Sequence, residues 1–420
     1  LFNGNKVVKE YYINDYGNQI TNFVKSVFLR IKEIKFKEKF IANEDLYPGD
    51  YIKKIAQNIL EKNKNIKFDN LNNCFEELKK LSLENSMNQI KTDLKQLGIA
   101  HDNFFSETEL LKKNLVEKVI TKLEKQNLIL EGYLDPPKGE KSKDWKKIKR
   151  LIFKSTAFGD DNDRALQKND GSWTYFANDL AYHLNKVERN YDKLINILGA
   201  DHTGYIKRIE GAVKALSKNK TQLNCKVCQL VKLFKNGKPF KMSKRAGDFI
   251  TVSELLKEVN KDSIRFMMLN RSNDVELEFD FDKVLEKSKD NPVFYVQYSY
   301  ARINSLFRSL NFNLNNNINF KNKDYLPNPY EIKLLRKIIE WPKIIELASN
   351  KLEPHRIPFY LYELSTIFHS YWSRGNENPK YKFIVNGKIN NPLSLKIFQL
   401  IAIILQNGMS ILGVSLPKKM

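Results

Sequence analysis

Hydrophobic and polar positions along the chain follow two regimes, and the change falls after residue 290. Before it, short β-branched or aromatic runs alternate with amphipathic stretches. Lys6-Val7-Val8-Lys9-Glu10-Tyr11-Tyr12-Ile13 predicts a strand, Asn14-Asp15-Tyr16-Gly17 a turn, and Gln19 to Ile34 an amphipathic helix. Residues 41–95 read as helical and rich in Lys and Asn, with breaks at Pro48-Gly49 and at Asn63 to Asn65. Leu97-Gly98-Ile99 predicts a short strand. Ser106, with Glu109 three residues on, predicts a capping box at a helix start. Residues 131–174 carry Pro136-Pro137-Lys138-Gly139 and Asp160-Asp161-Asn162-Asp163 and predict an irregular insertion. Leu194-Ile195-Asn196-Ile197-Leu198 predicts a buried strand running into Gly199-Ala200-Asp201-His202. Strands alternating with helices in this way predict a parallel α/β sheet.

Beyond residue 290, Val293, Val296, Tyr300, Ile303, Phe307 and Leu310 recur at intervals of three and four, which is one face of a helix. Further helical stretches run from Pro329 to Asn350, Pro354 to Arg374 and Leu393 to Leu412, with no strand signal between them. The C-terminal third therefore reads as an all-helical bundle. There is no internal repeat.

Composition narrows the class. At 420 residues the chain can hold two or three domains, and its 42% hydrophobic and 12% aromatic content excludes a disordered one. A net charge of +22 predicts attraction for polyanions, nucleic acid first, although lysine spread over every surface by a compositional bias gives the same number. Three cysteines (Cys74, Cys225, Cys228) argue for a reducing compartment. Cys225 and Cys228 form one C-x-x-C with no second pair and no nearby His, half of a tetrahedral site, so no metal site is expected. No secretory signal opens the chain, and the apolar stretch Leu400 to Leu405 is too short to span a bilayer. A cytoplasmic protein without a membrane partner is expected.

Three segments carry candidate chemistry. Lys241-Met242-Ser243-Lys244 sits in a glycine-flanked loop after the apolar run Leu230-Val231-Lys232-Leu233-Phe234. Lysines are compact charges on flexible stems and can follow charge that moves during phosphate displacement. Gly199-Ala200-Asp201-His202 lies at the carboxyl edge of a strand, where open α/β sheets bind ligands. Gly199 and Ala200 permit close backbone approach, and Asp201 and His202 offer a carboxylate and an imidazole; Asp201 capping the following helix is the alternative. Tyr175 and Asp179 are four apart on one helix face, and a phenol beside a carboxylate suits a planar cation such as a guanidinium. A solvent-exposed Asp with a half-buried Tyr is the alternative there.

The first of these segments resembles the KMSK signature of class I aminoacyl-tRNA synthetases. Together with Tyr11 to Ile20, Phe158-Gly159-Asp160-Asp161-Asn162-Asp163-Arg164, Asp170-Gly171-Ser172-Trp173-Thr174-Tyr175, Gly199 to His202 and Asp290 to Tyr298, it resembles the arginyl-tRNA synthetases of bacterial type over nearly the whole chain. The resemblance implies a class I Rossmann-type catalytic domain of α/β class with helical insertions, followed by an all-α anticodon-binding bundle. On it, residues 1–40, 96–130 and 172–245 form the catalytic domain and 41–95 and 131–171 its insertions. Residues 246–290 form a connecting stem, and 291–420 the helical domain. The implied activity is ATP-dependent, Mg²⁺-assisted joining of L-arginine to tRNA(Arg) by a protein that is a monomer at full length.

Residue by residue, the resemblance implies that Lys241 and Lys244 are catalytic and bind the triphosphate with Met242 and Ser243. It places Gly199, Asp201 and His202 at ATP. It gives Tyr175, Asp179, His202 and Asn14 to arginine, and Tyr298 and Arg302 to tRNA, with core packing or a solvated face as the alternative for the last two. A full KMSK departs from many arginine-specific members. None of the five histidines makes an H-x-G-H. The resemblance therefore implies a chain lacking that signature, the domain that reads the tRNA elbow and the first strand of the sheet. Such a chain is expected to be nearly inactive by itself, with Val7 to Ile13 an exposed edge. A non-catalytic RNA-binding relative and a class I synthetase for another amino acid are the rival readings.

Overall fold

The structure, a computed structural model, describes all residues except 135–147, 241–249, 315, 317, 319–324, 387 and 391. The Pro136-Pro137 segment and the loop with Lys241, Met242, Ser243 and Lys244 thus lie outside the described residues. The first half of the chain runs β1 (Glu10–Ile13), α1 (Asn18–Phe36), α2 (Asp50–Lys62), α3 (Leu71–Gln96), β2 (Asn103–Ser106), α4 (Glu107–Lys112) and α5 (Leu115–Glu124). It continues with β3 (Ile129–Gly132), β4 (Arg150–Phe153), β5 (Arg164–Ala165), α6 (Tyr175–Glu188), β6 (Lys193–Gly199), α7 (Ile206–Ser217) and β7 (Gln222–Cys228). Next come β8 (Val231–Lys235), β9 (Lys238–Pro239), α8 (Val252–Glu258), α9 (Lys261–Leu269), β10 (Leu277–Asp280) and α10 (Phe281–Leu285). The last part holds α11 (Pro292–Ser309), α12 (Pro329–Ile339), α13 (Trp341–Lys351), α14 (Arg356–Glu377), β11 (Ile384–Val385), β12 (Lys388–Ile389) and α15 (Pro392–Leu412).

Two compact units result. One comprises Val8–Val24 and His101–Leu230, the other Leu1–Val7, Lys25–Ala100 and Val231–Met420. In the first, β1 pairs with β2 and β6 with β7, both in parallel, as the alternating pattern predicts. Its core gathers Val116, Val119 and Leu123 of α5, Phe176, Leu180 and Leu184 of α6, and Ile209, Val213 and Leu216 of α7, with Leu194 and Leu223 from the strands. β6 is buried on one face only: Ile195 and Ile197 are 47% and 66% exposed, so it is a half-covered strand where full burial was expected. The described residues of 131–174 are more regular than an insertion of loops, since β3, β4 and β5 form an antiparallel sheet.

Three local readings fail for identifiable reasons. Leu97-Gly98-Ile99 is the end of α3, not a strand. Gly98 takes φ +70°, and Gly98 and Ile99 donate to the carbonyls of Lys95 and Leu94 at 2.9 and 2.8 Å, a glycine helix stop. Ser106 does stand at the cap position of α4 but makes no capping box, because its hydroxyl is engaged by Asp15 at 2.5 Å. Strand β1 starts at Glu10, four residues later than the apolar run.

In the second unit, β8 pairs with β10 in parallel and with β9 antiparallel. Helix α11 buries Val293, Val296, Tyr300, Ile303 and Phe307 of the periodic set against α14 and α15, while Leu310, at its C-cap, is half-buried against the same core. The stretch Pro329 to Asn350 is two helices, because Pro342 in the first turn of α13 has no amide to continue α12. A two-residue hairpin of β11 and β12 interrupts the otherwise helical bundle. Helix α15 is apolar and long enough to cross a membrane by composition, yet Leu395, Phe398, Ile401, Ala402, Leu405 and Met409 are buried in the bundle core. It is a core helix.

Candidate active site

Helix α6 starts where Thr174 fixes it. The Thr174 hydroxyl accepts from the Ala177 amide at 3.3 Å and donates to the Ala165 carbonyl at 3.1 Å, tying the helix to β5. One turn in, Asp179 presents its carboxylate to the hydroxyl of Tyr205, which donates to Oδ2. Burial pushes the Asp179 carboxyl up, against the pull of that hydrogen bond and of the charges of Lys186, His202 and Arg208. Among the described residues Asp179 forms no ion pair. Lys186, two turns along the same helix, spends its ammonium on Asn196 Oδ1 at 3.0 Å and on the face of Tyr182, and burial lowers it to about 8.

A second carboxylate stands nearby. Glu107, first residue of α4, is 6% exposed. Asn178 Nδ2 donates to it at 3.5 Å, and Tyr12 of β1 also hydrogen-bonds it. Its carboxyl is pushed up by burial and by the like charges of Asp179 and Asp15. Those three carboxylates, after burial, hold the Tyr12 phenol well above its usual range, so it remains a neutral donor. Asp15 in turn accepts from the Ser106 hydroxyl at 2.5 Å and from the Thr108 amide at 2.9 Å. It caps α4 from another part of the chain. Among the described residues neither the buried Glu107 nor the half-buried Asp179 has an ionic partner, and with Asp15 beside them they form a wall that favours a cation.

The residues singled out in the sequence are distributed unevenly around this wall. Asp179 is in it and feels the charge of His202. Asn14, adjacent to Asp15, is exposed at the end of β1. Tyr175 opens α6 at 78% exposure, its ring 5.6 Å from Lys168 Nζ. Tyr205, and not Tyr175, is the phenol at Asp179. Gly199 ends β6, and a Cβ there would stand 2.6 Å from Asp201 Oδ1. Asp201 and His202 lie on the 3₁₀ turn Ala200–Tyr205, with Asp201 Oδ2 3.6 Å from His202 Nε2. The cap reading of Asp201 fails: no side chain caps this turn or α7. Among the described residues no cluster of His, Cys, Asp or Glu has the makings of a metal site.

In the helical bundle, Arg302 donates to the Tyr298 hydroxyl at 2.9 Å and contacts His369 Nδ1 at 3.3 Å. Its guanidinium also covers the rings of Tyr298 and Trp372 at 4.7 and 5.2 Å. Both residues are thus tied into an aromatic stack. Glu107, Tyr12 and Tyr205 were not visible in the sequence as site residues. Their segments carry no local motif, and only the pairing of β1 with β2 and the turn after β6 bring them to α6.

Residues 1–309 match the family of class I tRNA synthetase catalytic domains of the arginine type, and residues 296–420 match the DALR anticodon-binding domain. The chain is 58% identical over 421 residues to the arginine–tRNA ligase of Pelagibacter ubique, covering 100% of this chain and 73% of that one. The arginine–tRNA ligase of Ehrlichia chaffeensis is 45% identical, with 98% and 71% covered. Among solved structures, the Campylobacter jejuni protein assigned as an arginyl-tRNA synthetase superposes with TM-score 0.84 at 30% identity, over 99% of this chain and 86% of that one. Arginyl-tRNA synthetase from Thermus thermophilus, at 17% identity, shares the fold with TM-score 0.67 over 99% and 76% of the two chains. This chain belongs to the class I arginyl-tRNA synthetases.

Proposed function

We propose that Asp179 and Glu107 receive the guanidinium of L-arginine, and that this pairing selects the amino acid for ligation to tRNA(Arg). One observation supports the reading above the rest: two neighbouring carboxylates, both lifted by burial, have no ionic partner among the described residues. A guanidinium offers planar, paired donors and keeps its charge at any working pH, so it is the cation such a wall fits best. Tyr175, His202 and Asn14 would border the rest of the amino acid. An apolar amino acid would leave both carboxylates unpaired, which argues against another class I specificity.

ATP would lie at the end of β6, beside Gly199, Asp201 and His202, where the absence of a Cβ lets the backbone come close. Mg²⁺ would arrive on the phosphates. The arginine carboxylate attacks the α-phosphorus, the bond to pyrophosphate breaks, and Lys241 and Lys244 with Met242 and Ser243 steady the departing charge. The 2′-hydroxyl of the terminal adenosine then attacks the acyl carbon and AMP leaves. Residues 291–420 would hold the anticodon stem, with Tyr298 and Arg302 acting through their stack. A cytoplasmic monomer is the simplest setting for this.

Calorimetric titration of L-arginine into the chain tests the reading. Asp179→Asn should abolish arginine binding, and Lys244→Ala should leave it intact, because that lysine is placed at the departing phosphates. An Asp179→Asn protein that still binds arginine with wild-type affinity would overturn it.

A further inference from the structure

The segment Phe158 to Arg164 is one of the most distinctive in the sequence and holds none of the residues proposed to touch substrate. In the structure it builds a buried ionic cluster. Asp160, its side chain 3% exposed, accepts a bidentate pair from Arg164 (Nε 2.7 Å, Nη2 2.6 Å) and a hydrogen bond from the Ser155 hydroxyl at 2.7 Å. Burial would raise this carboxyl, but Arg164 and Ser155 bring it down to about 2. A second guanidinium, Arg208 of α7, approaches Asp160 Oδ2 with its Nε at 4.0 Å. Two arginines therefore approach one carboxylate; Asp161 also acts on Arg164 but pairs with Lys207 at 3.4 Å, so the charge of Arg208 is only partly met.

That charge faces Tyr205. The Arg208 guanidinium carbon is 4.9 Å from the centroid of the Tyr205 ring and 5.8 Å from that of Phe176, and Phe176 meets the Tyr205 ring edge-on at 6.3 Å. The ring is held on two sides, with its hydroxyl on Asp179 Oδ2. A cation over a phenol face draws electron density from it and makes the O–H a better donor.

We infer that Tyr205 is a positioning residue for arginine recognition: backed by Arg208 and the Asp160–Arg164 pair, it fixes one oxygen of Asp179 and leaves the other for the ligand. The inference rests on the reading of Asp179 as the guanidinium acceptor. A hydrogen bond from a single fixed donor favours the anionic form of such a carboxylate and keeps it in one orientation, which is what a planar ligand requires. The charged and titratable groups that face Asp179 are Lys186 on its own helix, His202 and Tyr205 on the turn, Arg208 on α7, Glu107 on α4 and Tyr12 on β1. Of these, Tyr205 supplies the direct hydrogen bond.

Removing that bond withdraws support from the Asp179 anion, so the carboxyl takes up its proton at higher pH. Arginine binding needs the anion. The loss in Tyr205→Phe should therefore be largest in acid and shrink as pH rises, whereas a packing defect would be independent of pH. The test is calorimetric titration of L-arginine into the full chain from pH 5.5 to 8.5, for wild type, Tyr205→Phe, Arg208→Met, Arg208→Lys and Asp179→Asn. At neutral pH, Tyr205→Phe should weaken binding about 10- to 100-fold and move the acid limb to higher pH. Arg208→Met should do the same to a smaller degree, and Arg208→Lys should recover part of the loss. Wild-type affinity and an unmoved acid limb in both Tyr205→Phe and Arg208→Met, or a loss equal at every pH, overturns the inference. Should Tyr205→Phe fail to fold, the Arg208 pair carries the same test. If Asp179→Asn binds arginine normally, the reading of Asp179 is what fails; if it abolishes binding while the other variants are silent, the inference fails alone.

Discussion

Replacing Glu107 by Gln should make the protein more stable and a poorer binder at once. The carboxylate is 6% exposed, and burial, Asp179 and Asp15 all disfavour its charge. Each pH unit by which they lift it costs folding about 1.4 kcal/mol at neutral pH. The amide removes that cost and still offers an oxygen to Asn178 and Tyr12, so stability should rise by on the order of 1 kcal/mol. Arginine affinity should fall, because a hydrogen bond to a charged partner is worth roughly 1.5–3 kcal/mol, or about 10- to 150-fold. The pH dependence follows in sign. An acid raised on folding weakens the wild type above its folded value, and stability returns as pH drops through it; the variant should lack that gain. Urea unfolding across pH and calorimetric titration with L-arginine measure the two effects. A Glu107→Gln protein that is less stable yet binds arginine as tightly as before would refute the reasoning.

Other sites give sharper single readouts. A Cβ at Gly408 would lie 2.7 and 2.8 Å from the methyls of Leu361, a fully buried side chain with nowhere to move, so Gly408→Ala should cost about 1–3 kcal/mol in urea unfolding. A change under about 0.5 kcal/mol would show that α14 and α15 separate freely. His183 is buried between the Asp179 carbonyl at 2.8 Å and the Asn196 amide at 2.9 Å, and burial, then Lys186, lower it from 6.5 to about 3. A base depressed on folding contributes stability above its unfolded value and loses it as pH falls. Melting temperature should therefore drop from about pH 6.5 downward, and His183→Gln should flatten part of that slope. An unchanged slope would place the acid sensitivity elsewhere.

The sequence made the periodic elements readable and left the site half hidden. Helix α11 was legible because every third or fourth residue of one face is apolar, and β6 because an apolar run ends in small residues. Ser106 misled for a physical reason: its local partner, Glu109, competes with Asp15, 91 residues away in the chain, and the distant carboxylate wins. Gly98 reads as part of a strand because a helix stop and a short apolar strand share composition. Asp179 was visible through its spacing from Tyr175. Its actual phenol, Tyr205, lies 26 residues on and is delivered by a turn that no pattern announces. Glu107 was invisible because a carboxylate at a helix start ordinarily signals nothing beyond a favourable dipole.

Helix α4 has only six residues, too few to persist unaided in water, and its first-turn amide is satisfied by Asp15 from 93 positions upstream. Leu110 anchors that short helix in the core, but its N-terminal end, with Glu107 at its head, is capped only once β1 docks beside β2 and brings Asp15 across. On the proposed role of Glu107, the direction of a selecting carboxylate therefore depends on a pairing between distant parts of the chain. A cationic ligand captured there would act as a clasp, and hydrogen exchange at the Thr108 amide should slow when it closes.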